Sequence, residues 1–127
     1  MNLALWIAAG LLAAVALTGG ISKALVPKKK LSLAHGGEWT EDVSVGAVKT
    51  LGGLELLAAA GLILPAVGGT IPVMVPVTAV CWMLLMIGAM ITHGRLGQYK
   101  LVMLNVAYLA VAAFIAWGRF GPVHFVA

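Results

Sequence analysis

Four apolar runs make up most of this chain and limit its fold more than any other feature of the sequence. They extend over residues 3–26, 45–64, 71–92 and 99–117, and short polar segments separate them. An α-helix needs about 20 apolar residues to cross the hydrocarbon core of a bilayer. Because lipid offers no hydrogen bonds to the backbone, each run predicts a membrane-spanning helix. The expected fold is all-α, an antiparallel bundle of four transmembrane helices.

The composition indicates an integral membrane protein with a single domain, residues 1–127. Hydrophobic residues make up 62% of the chain and charged residues only 9%, which is far from the usage of soluble proteins. The polar segments are too short to form a separate soluble catalytic domain. The net charge of +4 comes from basic residues that flank the runs, so it indicates membrane topology and not nucleic-acid binding. Membrane lipid is the expected surrounding of the chain.

The basic residues are concentrated on one side of the predicted membrane. Four consecutive spans place loops one and three on one face, and both termini on the other. The first face carries Lys28, Lys29, Lys30, Lys49, Arg95 and Lys100. The second face carries Arg119 alone. The positive-inside rule therefore predicts that loops one and three are cytoplasmic and that both termini lie outside a bacterial plasma (inner) membrane.

Glu55 is a carboxylate in the middle of the second apolar run, close to the predicted midplane of the membrane. A charged residue at that depth costs at least about 2.5–3.5 kcal/mol, so it normally faces the bundle interior and has a partner. The nearby small residue Gly52 allows another backbone to approach it closely. Two interpretations remain open. Glu55 either holds helices together through hydrogen bonds, or it forms part of a site for a proton, a lipid headgroup or a quinone.

The antiparallel arrangement brings three further polar residues into the same half of the bundle as Glu55. They are Lys23, His93 and Asn105. Lys23 and Glu55 are offset by about 10 Å along the helix axes at 1.5 Å per residue, and two long side chains nearly close such a gap. The pair then lies in a small cavity open to the cytoplasm. In the alternative, Lys23 extends to the membrane surface and Glu55 is protonated.

Two further patterns concern helix packing. Small residues recur at every fourth position of the first run, at Gly10, Ala14, Thr18 and Ser22, and this stripe is suited to close helix contacts. Pro65 is expected to end the second helix.

The sulfur-containing residues of the third run predict packing and not metal binding. Cys81 is the only cysteine of the chain, so an intrachain disulfide is excluded, and its place in mid-span predicts a buried side chain. Met83, Met86 and Met90 are expected to pack in the core, and no metal site is expected there.

The chain resembles the DoxX-like family of small four-helix membrane proteins. The resemblance rests on Gly19-Gly20-Ile21-Ser22-Lys23, on residues 52–65 (GGLELLAAAGLILP), on Gly88-Ala89-Met90-Ile91-Thr92-His93, and on Asn105. It implies a four-helix bundle with Lys23, Glu55, His93 and Asn105 as its polar members. Some relatives look like subunits of a thiosulfate:quinone oxidoreductase, others are linked to oxidative-stress assemblies, and distant eukaryotic relatives act as assembly factors. The lack of a second cysteine argues against thiol exchange within this chain.

Three functions are compatible with these residues. The favoured hypothesis is a non-catalytic accessory or assembly subunit that docks on a larger integral membrane complex, a transporter or an oxidoreductase, and carries no cofactor. The second is a quinone-linked oxidoreductase subunit in which His93 or Glu55 handles the proton and Tyr108 or Trp82 packs on the ring. The third is a bundle that binds a lipid or another small molecule in the polar cavity.

Overall fold

The structure is a computed structural model that describes residues 1–34, 37–69 and 71–123. Its described residues form helices and no strand, so the predicted all-α fold is confirmed. The helices are α1 (Asn2–Leu25), α2 (Lys28–Leu33), a 3-10 helix (Glu38–Asp42), α3 (Val45–Gly68), α4 (Met74–Arg95) and α5 (Tyr99–Phe120). The four long helices, α1, α3, α4 and α5, are long and apolar enough to cross a membrane. The short α2 and the 3-10 helix lie in the connection between the first two.

Local sequence explains where α3 begins and ends. Ser44 precedes its first turn and its hydroxyl accepts a hydrogen bond from the Ala47 backbone nitrogen at 3.2 Å, which satisfies an otherwise unpaired donor. The helix continues one turn past Pro65, where the sequence predicted its end. Proline removes one intrahelical hydrogen bond and its ring crowds the carbonyl four residues earlier, but Pro65 lies so close to the helix end that few turns are disturbed. The helix instead ends at Gly68, and the following Gly69 has a positive φ of 67° that glycine adopts without strain.

Close backbone packing joins α1 to α3 where Gly20 faces Gly52. A Cβ atom on Gly52 would lie 2.6 Å from the Ala24 backbone nitrogen and 3.0 Å from the Gly20 carbonyl oxygen, so no larger residue fits there. Lys49 donates a hydrogen bond at 2.9 Å to the carbonyl oxygen of Ala24, near the C-terminal end of α1. Small residues allow such close crossings in membranes. The crossing sets α1 and α3 at a fixed separation near one end of the bundle.

The four long helices form two tightly packed pairs, α1 with α3 and α4 with α5. Contacts between α3 and α4 and between α1 and α5 are less extensive. Apolar side chains fill the centre, including Leu12, Leu62 and Ile115, each at most 1% exposed. Large apolar side chains also cover the outside, as expected for a surface that faces lipid. Cys81 belongs to this outer surface. The predicted burial of Cys81 is wrong, because Trp82 and not its neighbour faces the core.

The two ends of the bundle differ in polar structure. We call the end that carries α2, the 3-10 helix and the turn between α4 and α5 the basic end. At the opposite end, the Arg119 guanidinium is buried and donates hydrogen bonds to the Asn2 side chain at 2.7 Å and to the Val123 carbonyl at 3.0 Å. It also lies 5.9 Å from the centre of the Trp6 ring. These contacts tie the end of α5 to the start of α1.

Candidate functional site

An ion pair between α1 and α3 lies inside the bundle near the basic end. The Lys23 ammonium lies 3.0 Å from Oε2 and 3.2 Å from Oε1 of Glu55. The Glu55 side chain is 7% exposed and that of Lys23 is 21% exposed. The Gly20–Gly52 crossing brings the two helices together beside the pair. Gly19 leaves space for the ion pair, because a Cβ atom at this position would lie 3.2 Å from Oε2 of Glu55. Each charged group therefore supplies the counter-ion of the other.

A cavity of about 430 Å³ adjoins this ion pair. Its volume falls within the range of about 300–1,000 Å³ that small-molecule sites occupy. All four long helices and the 3-10 helix contribute to its walls. The polar and aromatic lining residues are Lys23, Trp39, Glu55, Trp82, Thr92, His93, Asn105 and Tyr108. Apolar residues make up most of the remaining wall, so the cavity combines an apolar body with several polar groups.

Two hydrogen-bond donors in the cavity wall have no partner. Among the described residues, the indole Nε1 of Trp82 and the amide Nδ2 of Asn105 are buried and make no hydrogen bond. Trp82 is 2% exposed and Asn105 is 8% exposed. A buried donor without a partner costs about 1–3 kcal/mol, and native proteins rarely leave one unpaired without a reason. Both donors lie in the lining of the same cavity.

A chain of three side chains connects the first loop to the cavity. The Gln98 amide nitrogen donates to Oε2 of Glu38 at 2.8 Å, and the Gln98 carbonyl oxygen lies 2.7 Å from Nδ1 of His93. A carboxylate only accepts hydrogen bonds, so Glu38 fixes the orientation of the amide. His93 must therefore donate through Nδ1. In neutral His93 this leaves Nε2 as a hydrogen-bond acceptor.

The cavity is bounded by the 3-10 helix at the basic end of the bundle and by the exposed face of α4 on its side. At the basic end, Trp39 of the 3-10 helix lines the cavity, and the neighbouring Glu38 is linked to the start of α5 through Gln98. On the side, Leu84 and Gly88 of α4 line the cavity and are also exposed on the outer surface of the bundle. Open space surrounds the Gly88 Cα, since a Cβ atom there would have no neighbour within 4 Å. The cavity thus extends to the surface that faces lipid.

The four residues expected to form a polar cluster lie together. Lys23, Glu55, His93 and Asn105 all line the one cavity. Sequence reasoning missed Trp39 and the Glu38–Gln98 link, because both lie in connections without periodicity. The only signal for them was the concentration of polar residues in those connections.

The small-residue stripe does not join the cavity. Gly10, Ala14 and Thr18 are exposed on the outside of α1, and Ser22 is half-buried. Thr18 donates its hydroxyl to the Ala14 carbonyl at 2.8 Å, and Ser22 donates to the Thr18 carbonyl at 2.9 Å. The hydroxyls are therefore satisfied within α1 itself.

Four apolar helices of membrane-spanning length, packed around a partly polar cavity, define a small integral membrane protein built as a four-helix bundle. The model of the DoxX-like family matches residues 7–115, which reach into all four long helices. The chain belongs to the DoxX-like family, and the resemblance found in the sequence is confirmed. No curated protein and no solved structure matches the chain significantly.

Proposed function

We propose that this protein binds a small lipophilic molecule in its intramembrane cavity. The observation that supports this proposal best is the pair of unpartnered donors, Trp82 Nε1 and Asn105 Nδ2, in one cavity wall. A molecule with acceptor oxygens would satisfy these groups and displace any weakly held water. The apolar remainder of the wall suits a hydrocarbon body. Binding of this kind needs no catalytic step.

A quinone would satisfy one of these two donors, because its carbonyl oxygens accept hydrogen bonds. Trp82 or Asn105 would hold a carbonyl, and a bound quinone would supply two-electron redox chemistry. In the neutral form of His93, the hydrogen bond from Nδ1 to Gln98 leaves Nε2 as an acceptor that faces no fixed partner in this link. This arrangement suits the binding of a hydroxyl group or the acceptance of a proton.

Extraction of the purified protein tests the proposal. We expect a lipophilic molecule to copurify at close to one per chain, and lipid and quinone analysis of the same extract identifies its class. Ala89→Phe places a ring in the cavity lining and should expel the molecule, whereas Ala107→Phe on the exposed face of α5 is the matched control. Circular dichroism checks that both variants fold. Equal retention of the molecule by both folded variants would contradict cavity binding.

The accessory-subunit function is a second proposal, and the position of the small-residue stripe favours it. Gly10, Ala14 and Thr18 lie on the outer surface of α1, where a helix of another integral membrane protein has room to pack closely. Gly10→Leu should release that partner in native-membrane pulldowns without unfolding the bundle, because a Cβ atom there meets nothing within 4 Å. Gly53→Leu on α3 is the control, with equally open space. Undiminished recovery of the partner with Gly10→Leu would refute docking at the stripe.

The orientation of the chain is also a proposal, and it rests on charge. The exposed Lys29, Lys30, Arg95 and Lys100 surround the basic end, whereas Arg119 at the other end is buried. The positive-inside rule then assigns loops one and three to the cytoplasm and both termini to the outside of a bacterial inner membrane. In a Cys81→Ser background, Lys29→Cys should label only from the cytoplasm and Pro122→Cys only from outside. Labelling of Pro122→Cys from the cytoplasm would reverse the orientation.

A further inference from the structure

The two unpartnered donors lie at different depths in the bundle. At a rise of 1.5 Å per residue, the Trp82 Cα atom lies about 20 Å along the helix axis from the end of α4 at Arg95. The Asn105 Cα atom lies about 9 Å along the axis from the start of α5 at Tyr99. The short turn between α4 and α5 places Arg95 and Tyr99 at the same end. The Cα atoms of Trp82 and Asn105 are therefore offset by about 10 Å along the bundle axis. One acceptor group does not reach both levels.

The direction of the side chains adds to this separation. Side chains on a helix lean toward its N-terminus. On α4 that direction leads away from the basic end, and on α5 it leads toward that end. The Cα–Cβ bonds of Trp82 and Asn105 therefore lean apart. The cavity wall extends between these levels, since Val15, Gly19 and Lys23 line it at successive turns of α1.

The charges of the cavity wall balance one another. Lys23 and Glu55 are paired at 3.0 Å and 3.2 Å, so neither is left to neutralise an ionic ligand. Burial of a charged group without a counter-ion is strongly unfavourable. The opening beside Leu84 and Gly88 leads to the lipid-facing surface, where uncharged lipophilic molecules are concentrated.

We infer that the bound molecule is uncharged and elongated, and that it carries acceptor oxygens at two positions about 10 Å apart along its length. This inference rests on the proposed function and names the ligand class of the same cavity. One acceptor meets the Trp82 indole and the other meets the Asn105 amide. A single carbonyl, or two carbonyls on opposite sides of one six-membered ring, satisfies only one of the two donors.

Native mass spectrometry of the whole protein in detergent tests this inference by measuring the binding of matched probes. The probes share one chain length and are a linear dione with carbonyls about 10 Å apart, a monoketone, an alkane and a carboxylic acid. We expect the dione to bind about tenfold more tightly than the monoketone, the ratio for one further buried hydrogen bond. The alkane and the acid should bind more weakly than either ketone.

Two substitutions assign the donors separately. Trp82→Phe and Asn105→Leu should each weaken dione binding about tenfold and remove its advantage over the monoketone. Circular dichroism checks folding, and either variant alone suffices if the other does not fold. An alkane or acid that binds as tightly as the dione would overturn the ligand class while still supporting a binding cavity. If no probe binds and nothing is extracted from the purified protein, the proposed function fails as well.

Discussion

Replacement of Lys23 by methionine should leave the Glu55 carboxylate without its counter-ion inside the bundle. Removal of one partner from a buried ion pair costs about 3–5 kcal/mol, because the remaining charge is uncompensated. The Lys23 side chain keeps 21% of its surface exposed, so we expect a loss at the lower end, about 3 kcal/mol of the free energy of unfolding. Glu55→Leu should cost less, since the freed lysine reaches the surface from the last turn of α1.

The double variant with Lys23→Met and Glu55→Leu is the decisive measurement. Replacement of a whole buried ion pair by apolar residues is often neutral, so its stability should return to within about 1 kcal/mol of the parent protein. Unfolding by sodium dodecyl sulfate in mixed micelles gives the free energy of unfolding of the parent protein, the two single variants and the double variant, which together form a double-mutant cycle. If the double variant loses the sum of the two single losses, the residues do not act as a pair, and the explanation given for the site is wrong.

Three further predictions concern glycine positions and the loop link. Gly52→Ala should destabilise the bundle by about 1–3 kcal/mol in the same unfolding assay, because its Cβ atom meets the α1 backbone, whereas Gly53→Ala should change little. Gly88→Leu should slow the uptake of a lipophilic probe, measured by stopped-flow fluorescence, without affecting stability. Gly53→Leu is the control, and equal uptake rates for the two variants would show that the side opening is not used. Gln98→Leu should detach the 3-10 helix from α5 and increase hydrogen exchange in residues 38–42, whereas unchanged exchange would show that the link does not hold this segment.

The four long helices were predictable because lipid imposes a simple rule on the backbone. Each apolar run of sufficient length must be helical, whatever its partners are. Axial offsets along antiparallel helices also made the approach of Lys23 to Glu55 one of two open alternatives, and it is the one that the structure has. Both arguments use distances along single helices, which sequence numbers supply directly.

Rotations of the helices about their own axes were harder to predict. The third run is apolar on all sides, so its sequence does not say which face turns inward. Cys81 was expected to be buried from its place in mid-span alone, whereas the structure exposes Cys81 and buries Trp82. The link from Glu38 through Gln98 to His93 depends on how two loops meet in space, and no periodic signal reports that. The same holds for Trp39 at the cavity wall.

The uneven packing of the four helices has a mechanical consequence. Contacts within the α1–α3 and α4–α5 pairs are extensive and those across the seams between the pairs are fewer, so we expect the seams to yield more easily than the pairs. The cavity is bounded by both pairs, so a small sliding of one against the other changes its width without repacking either. Under the proposed binding function, we expect shear at the seams to fit the cavity to molecules of different girth, while the glycine crossing holds α1 against α3.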